Sequence, residues 1–289
     1  MIYNGRKSGH VLGFVRTIIS FLKQHPTIPT SVVYALDGYP ERKYRSYTEY
    51  KGGREDSRRD GDPMPDITRV VSILPGYVLY HPDEEADDVI SAFLYWFRKR
   101  EDREKRHTRA TIQVMTSDRD LLSLVDPVTL WTPSTNKDGW VRTPSEVGSH
   151  LHVHFPVLPV NVPLFKAVTG DTSDHIPGIP RIRKEALARA MWWVIDKDAS
   201  KSFSGCDGSV QSLIQAIARE PNSLSKSERA KISQGMAAIK RNHALIQLSR
   251  IRIWPKRNHH AQSVLRDILL KHYGCYSLAE DITRFPATR

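Results

Sequence analysis

Residues 76–97 read GYVLYHPDEEADDVISAFLYWF. The opening GYVLYH has the β-branched and aromatic content of a short strand. His81 and Pro82 end it. From Glu85 a helical period begins, with Ala86, Val89, Ile90, Phe93 and Trp96 on the inward face. Between strand and helix stand Glu84, Glu85, Asp87 and Asp88. The same order recurs twice. SVVYALD at 31–37 is a short apolar run ending in Asp37, and TIQVMTSD at 111–118 ends in Asp118, with Asp120 two residues on. Helical patterns lie between, at 9–23 (Val11, Leu12, Val15, Ile18, Ile19, Leu22) and in DITRVVSIL at 66–74. Strands alternating with helices predict an α/β fold with a parallel sheet. VTLWTP and GWVRTP predict a short hairpin around Asn136–Gly139. Mostly helical patterns follow to the C-terminus, which predicts an α-helical second domain.

Carboxyl ends of parallel strands share one edge of a sheet, where ligands of α/β folds bind. Carboxylates gathered there repel one another unless a cation neutralises them. Oxygen donors with no Cys or His beside them select Mg²⁺ or Mn²⁺. Two such ions roughly 4 Å apart are a common device for phosphodiester hydrolysis. The plainer reading of DEEADD is an acidic first turn favoured by the helix dipole. It accounts for Glu84 and Glu85, but not for Asp87 and Asp88 leading into an apolar face. A further pair, Asp171 and Asp174, lies in GDTSDHIPGIP at 170–180. Gly178 there offers a tight turn whose backbone N–H groups suit a phosphate; the alternative is an ordinary corner between helices capped by Asp174.

The chain has 289 residues, 39% hydrophobic and 26% charged, which is globular and large enough for a substantial core. No apolar run approaches the ~20 residues of a membrane span, and the start lacks a signal-peptide core. Two cysteines, Cys206 and Cys275, make no disulfide framework, so a reducing cytoplasm is the expected location. The net charge of +11 is uneven. Residues 160–289 carry 21 basic and 11 acidic side chains, residues 1–159 carry 22 and 21. A polyanion is the natural partner of the C-terminal half; an anionic membrane is not, for want of a basic amphipathic helix.

Residues 38–65 are tyrosine-rich and charged, and are expected to form a long excursion, either loop or mobile helix. FRKREDREKRHTR at 97–109 reads as the solvated end of a helix. His150, His152 and His154 would share one face of a strand, yet have no carboxylate partner nearby, so a metal there is not expected. Trp192 and Trp193 follow a helical apolar pattern and read as core.

With ALDG at 35–38, YTEYKGGR at 47–54, EADDVI at 85–90, TSDRDLL at 116–122 and GDTSDHIPGIP at 170–180, the chain resembles the 5′-nuclease family of flap endonucleases and 5′→3′ exonucleases. The resemblance extends to bacteriophage enzymes and to the N-terminal nuclease domain of bacterial DNA polymerase I. The resemblance runs from about Gly9 to about Leu248. It implies a PIN-like nuclease domain over 1–155 and a helix–three-turn–helix with further DNA-binding helices over 156–289. It implies metal ligation, direct or through water, by Asp37, Glu85, Asp87, Asp88, Asp118, Asp120, Asp171 and Asp174, with two Mg²⁺ or Mn²⁺ ions. Lys51 and Arg54 match the basic pair that contacts the scissile phosphate, and Tyr50 is placed to stack on a base. DNA contacts are implied at Gly178, Arg181, Arg183 and Lys184. The expected substrate is DNA with a 5′ end or flap, and the expected protein is a monomer with a DNA polymerase as partner.

Two departures from the pattern stand out. The family's Gly-x-Gly after GIP is replaced by Arg181 and Arg183. Arginine does not take φ > 0 cheaply, which predicts a reshaped turn with charged contacts to phosphate and weighs against the K⁺ site that the resemblance implies there. Family members also begin with a strand carrying an aspartate ahead of the helix at 9–23. Its lack leads to the expectation that Met1 is an internal start, some 15–25 residues late by strand-plus-loop length. The rival function is a catalytically impaired DNA-binding relative lacking that strand. A PIN-type ribonuclease is disfavoured by the 170–180 motif.

Overall fold

The computed structural model describes residues 2–3, 6–7, 9–24, 31–51, 64–105, 110–116, 118–126, 129–132, 141, 143–196, 207–219, 222–258, 262–273 and 275–278. The elements are β1 (Ile2–Tyr3), β2 (Arg6–Lys7), α1 (Gly9–Gln24), β3 (Val33–Leu36), α2 (Glu41–Ser46), α3 (Met64–Ile73), β4 (Gly76–Tyr80), α4 (Ala86–Arg103), β5 (Ile112–Met115), β6 (Thr129–Thr132), α5 (Pro144–His150), α6 (Val162–Thr169), α7 (Lys184–Asp196), α8 (Asp207–Arg219), α9 (Lys226–Gln234), α10 (Met236–Ile246), β7 (Lys256–Asn258) and α11 (Gln262–Asp267). The chain folds as two compact units. One comprises Met1–Pro40, Gly53–Trp96 and Arg250–Arg289, the other Glu41–Gly52 and Phe97–Ser249.

In the first unit, β1 and β2 form an antiparallel pair. β3 and β4 pair in parallel, Val33 opposite Tyr77 and Leu36 opposite Tyr80. The expected stripe of α1 is buried at Val11, Val15, Ile18, Ile19 and Leu22, against Val70, Val71 and Leu74 around α3 and against Leu265, Leu269 and Tyr273. Asp66 fixes this packing: it accepts from the Tyr273 hydroxyl at 3.2 Å and lies 3.1 Å from His10 Nε2. β7 adds an antiparallel strand to β4, Val78 opposite Lys256. The Asn258 side-chain amide donates to the carbonyls of Val71 and Leu74 at 2.7 and 2.8 Å, closing the C-terminal turn of α3, where carbonyls lack helical partners. This short strand lies in the part of the chain whose patterns read as mostly helical. α4 buries Val89 and Ala92 against Leu79 and Ile253, with Phe93 beside them. Ala86 and Ile90, expected inward, are half-buried.

In the second unit β5 and β6 form their own parallel pair, Ile112 opposite Thr129 and Met115 opposite Thr132. Thr129–Thr132 thus pairs with β5; the proposed hairpin turn at Asn136–Gly139 lies outside the described residues. The charged end of α4 is not wholly solvated. Glu101 is buried, pairs with Arg98 at 2.7 Å, and accepts the Ala110 amide at 2.9 Å. Arg98 also donates to the Ala110 carbonyl and to Thr129 Oγ1, at 2.8 and 3.1 Å. A helix-end ion pair of this kind anchors the chain as it enters β5 and as it enters β6, and a charge count cannot separate it from a solvated one.

α6 is apolar on most of its surface, burying Val162, Leu164, Phe165, Ala167 and Val168, as a central helix must. α10 covers it with Ile239, Leu245 and Ile246, and buried Asn242 donates to the carbonyls of Ala167 and Pro177 at 3.0 and 2.7 Å. α7 buries Leu187, Ala188, Ala190 and Met191. Trp193 is 43% exposed and Trp192 is half-buried, set edge-on to Phe155, so the tryptophan pair is not core as expected. His150 ends α5 and His152 takes φ 60°, so the histidines turn instead of sharing a strand face.

Candidate functional site

Among the described residues, each unit carries one group of three close carboxylates. In the first unit, β3 runs into Asp37 and Gly38, and β4 into the turn at 81–85. Gly38 is pressed onto that turn: its amide donates to the Glu84 carbonyl at 2.8 Å, and a Cβ would stand 2.1 Å from the His81 carbonyl oxygen. Only glycine lets the two strand ends approach so closely. The approach lets Asp37 Oδ1 accept the Ala86 amide at 2.8 Å, the first amide of α4. The next residues supply the group itself. Glu85, Asp87 and Asp88 each bring a carboxylate oxygen within 4.8 Å of the others. Glu85 and Asp88 are buried, Asp88 completely. The α4 N-terminus favours this charge. Asp37 is exposed and acts here as a helix cap, outside the group of three.

In the second unit, Asp120, Asp171 and Asp174 bring oxygens within 4.8 Å of one another, and all three are buried. β5 leads to Asp118, whose Oδ1 accepts the Asp120 amide at 2.9 Å and so starts the 3-10 turn Asp120–Leu124. Asp118 itself is exposed and outside the group. Asp171 and Asp174 sit on a loop closed by paired bonds, Asp171 N to Ile176 O at 2.9 Å and Ile176 N to Asp171 O at 2.8 Å. Gly178 lets this loop lie on the end of α6, since a Cβ there would stand 2.3 Å from the Thr169 backbone.

Lys166 enters this second group from α6 and ion-pairs with both Asp120 and Asp171. Burial, reinforced by Asp118 and Asp171 and opposed by Lys166, pushes the Asp120 pKa up to about 7. Burial also works to raise Asp171, but Lys166 and Ser173 outweigh it and the net shift is downward. For Lys166 burial opposes the charge, yet the two aspartates prevail and hold it protonated. Sequence reasoning missed this residue. Its signal was a lone lysine in the otherwise apolar helix VPLFKAVT, which demands a buried anion.

Lys51 and Tyr50 join the same group. Lys51 Nζ lies 3.8 Å from Asp174 Oδ1, and its amide donates to the Asp174 carbonyl at 3.2 Å, with φ at 51°. Tyr50 is 2% exposed; its hydroxyl donates to Asp174 Oδ2 at 3.4 Å. Lys51 lies over its ring at 5.2 Å and Tyr44 sets an edge to it at 5.7 Å. That corrects the stacking role: a ring so covered offers no face to a base, and it positions Lys51 and Asp174 instead. Arg54 lies outside the described residues.

Of the basic residues after Gly178, Arg181 takes φ 60°, so the turn keeps a left-handed residue despite the lack of glycine. Arg181 and Lys184 are exposed. Arg183 is corrected. Its Nε and Nη2 hold the two Glu228 oxygens at 3.0 and 2.8 Å, and its amide adds a third bond at 3.0 Å. Glu228 is buried and completes a capping box with Ser225 at the start of α9. The Arg183 bond, with burial opposed to it, holds the Glu228 pKa far below the usual range. A depressed carboxylate stabilises above its unfolded pKa and loses that contribution as pH falls. Glu228→Gln should therefore lower stability by about 1–3 kcal/mol at pH 7, and the deficit should shrink in urea melts as pH drops below about 4.

These donor sets fit hard divalent cations: oxygen only, close together, buried and, in the second unit, already drawing in a cation. Among the described residues no group includes histidine or cysteine.

The family model described as 5′-3′ exonuclease, N-terminal resolvase-like domain, matches residues 2–150. The chain belongs to the 5′–3′ exonuclease family. The thermostable DNA polymerase I of Thermus filiformis is 31% identical over 247 residues, 84% of this chain and 25% of the polymerase. The DNA polymerase I of Mycobacterium tuberculosis is 29% identical over 250 residues, 85% of this chain and 24% of the polymerase. The chain thus spans about a quarter of the length of these relatives. Among solved structures, a bacteriophage T5 flap endonuclease in complex with DNA and metal ions has a TM-score of 0.54 at 15% identity, covering 94% of this chain and 89% of its own. The T5 5′-exonuclease with bound zinc has a TM-score of 0.54 at 16% identity, covering 98% and 93%. At these identities the likeness extends to the fold, an α/β nuclease fold with parallel strand pairs. In this family member no described helix is long and apolar enough to cross a membrane.

Proposed function

We propose that this 5′–3′ exonuclease family member hydrolyses phosphodiester bonds of DNA at a 5′ end or 5′ flap, using two divalent cations, Mg²⁺ or Mn²⁺. The observation that carries the reading is the pair of largely buried three-carboxylate groups, Glu85/Asp87/Asp88 and Asp120/Asp171/Asp174, in a chain of this family. These residues would hold the ions; Asp37 and Asp118, which fix the neighbouring backbone, would reach them through water. Bound there, divalent cations supply Lewis-acid stabilisation of charge on a phosphate attacked by water. Residues 1–155 are assigned the chemistry, joined by Asp171 and Asp174, and the remainder of residues 156–289 the DNA, through a helix–three-turn–helix made of α6, the 170–183 loop and α7. Arg181 and Lys184 supply charge to the DNA backbone there. The protein acts as a monomer beside a DNA polymerase, the protein in which its relatives carry the matching segment.

Lys51, held by Tyr50 and Asp174, is placed to act as a point charge on the phosphate, with Arg54 beside it. Lys51→Ala should slow single-turnover cleavage about a hundredfold with much less change in DNA affinity; a large loss of affinity at unchanged rate would count against this role. The reading as a whole is tested on a 5′-flap duplex and a recessed 5′ end with Mg²⁺, Mn²⁺ or EDTA. Cleavage with either ion and none in EDTA is expected. DNA binding without cleavage under any ion would overturn it in favour of a catalytically impaired relative.

A further inference from the structure

Residues 250–257 read RIRIWPKR, and burial alternates along them. Ile251 and Ile253 turn inward onto the cluster of Leu79, Val89 and Ala92. Arg250, Arg252, Trp254 and Lys256 are exposed, Trp254 by 44%. This is the pattern of extended chain, in which every second side chain shares a side. The segment is held firmly. Trp96 Nε1 donates to the Ile251 carbonyl at 2.9 Å, β7 pairs with β4, and Asn258 is bonded to the end of α3. The Arg250 guanidinium is fixed 5.0 Å above the Tyr95 ring. Cations on an edge strand such as β7 also discourage pairing with other chains, which would account for Lys256 and Arg257. It does not account for Trp254, since an exposed indole favours association.

We propose that Arg250, Arg252, Trp254 and Lys256 form a strip that binds single-stranded DNA. The indole offers a face to an unstacked base while the flanking cations take phosphates. Duplex bases are already stacked and offer no such face, which favours the single strand. The strip lies outside residues 2–150 and among none of the implied DNA contacts. It rests on the nuclease reading only for the choice of DNA as the strand.

The test uses the full chain and fluorescein-labelled oligodeoxythymidylate of 20 nucleotides in EDTA, read by anisotropy across a salt series. Omitting metal keeps the outcome separate from cleavage. Trp254→Ala should weaken binding about tenfold, and Trp254→Phe should restore most of it. Arg252→Gln with Lys256→Gln should reduce the slope of log K against log salt by about 1.4, or about 0.7 per charge. Lys99→Gln with Arg103→Gln, the same charge loss on α4, should change the slope far less. Equal effects of the two double variants, or unchanged binding by a folded Trp254→Ala protein, would overturn the strip. Loss of binding in the strip variants with no cleavage by the parent would sustain the strip and reject the nuclease reading.

Discussion

Asp87→Asn and Asp120→Asn should each slow single-turnover cleavage by about a thousandfold or more, the upper range for a lost electrostatic stabiliser, while DNA affinity stays level or rises. The amide keeps the volume and one acceptor oxygen but loses the charge that a divalent cation requires. Affinity is spared because each carboxylate repels phosphate, so its neutralisation removes an unfavourable contact. Asp87 is only half-buried, and Lys166 keeps Asp171 as its partner when Asp120 is neutral, so the fold is affected less than by loss of Lys166 itself. A double variant separates one shared chemical step from two. If both groups serve the same step, Asp87→Asn with Asp120→Asn is no slower than the slower single variant. Rates that multiply, or full cleavage by either single variant, would reject the assignment of both groups to the chemistry. Asp118→Asn provides the contrast. Asp118 orients the Asp120 amide from an exposed position, so its loss should be milder than that of Asp120.

Much of this arrangement was legible in the sequence, because strand ends followed by acids leave a local trace. β3, β4 and β5 lie where their apolar runs place them, and the α1 stripe is buried at the expected positions except Leu12, which is half-buried. What escaped depended on partners far along the chain. β7 belongs to the strand sheet although it reads Lys-Arg-Asn; the trace was in the preceding Arg-Ile-Arg-Ile alternation, which a search for helices passes over. Glu101 and Arg98 look solvated until the entries to β5 and β6 close over them. Arg183 looks like a phosphate ligand until Glu228, 45 residues later, claims it through a capping box. Tyr50 looks like a stacking platform until Tyr44, Lys43 and Lys51 cover its ring. In each case residue type was read correctly, and the error lay in assigning to solvent or substrate a group that the fold already uses.

Lys166 is the sharpest case, and its removal should be costly in a way that metal reverses. Lys166→Met keeps the length and apolar stem but leaves Asp120 and Asp171 buried as like charges. Breaking a buried ion pair from one side destabilises by about 3–5 kcal/mol. The expected result is a loss of that size in urea unfolding at pH 8 in EDTA. Three further outcomes follow from the same charge balance. Mg²⁺ should restore more stability to Lys166→Met than to the parent, because the divalent ion no longer competes with an ammonium group. Asp120→Asn in the Lys166→Met background should recover part of the loss, since it removes one of the two opposed charges. The deficit should also shrink as pH falls from above the parent's value of about 7, since loss of Lys166 removes what holds the Asp120 pKa down. A raised carboxylate pKa means that the folded state takes up a proton there, and a neutral Asp120 needs no counter-charge. Equal stability of parent and Lys166→Met in EDTA at pH 8, with equal gains on adding Mg²⁺, would show that the ammonium group is not the counter-ion of this acidic group, and would leave its buried carboxylates without the cation on which their close approach depends.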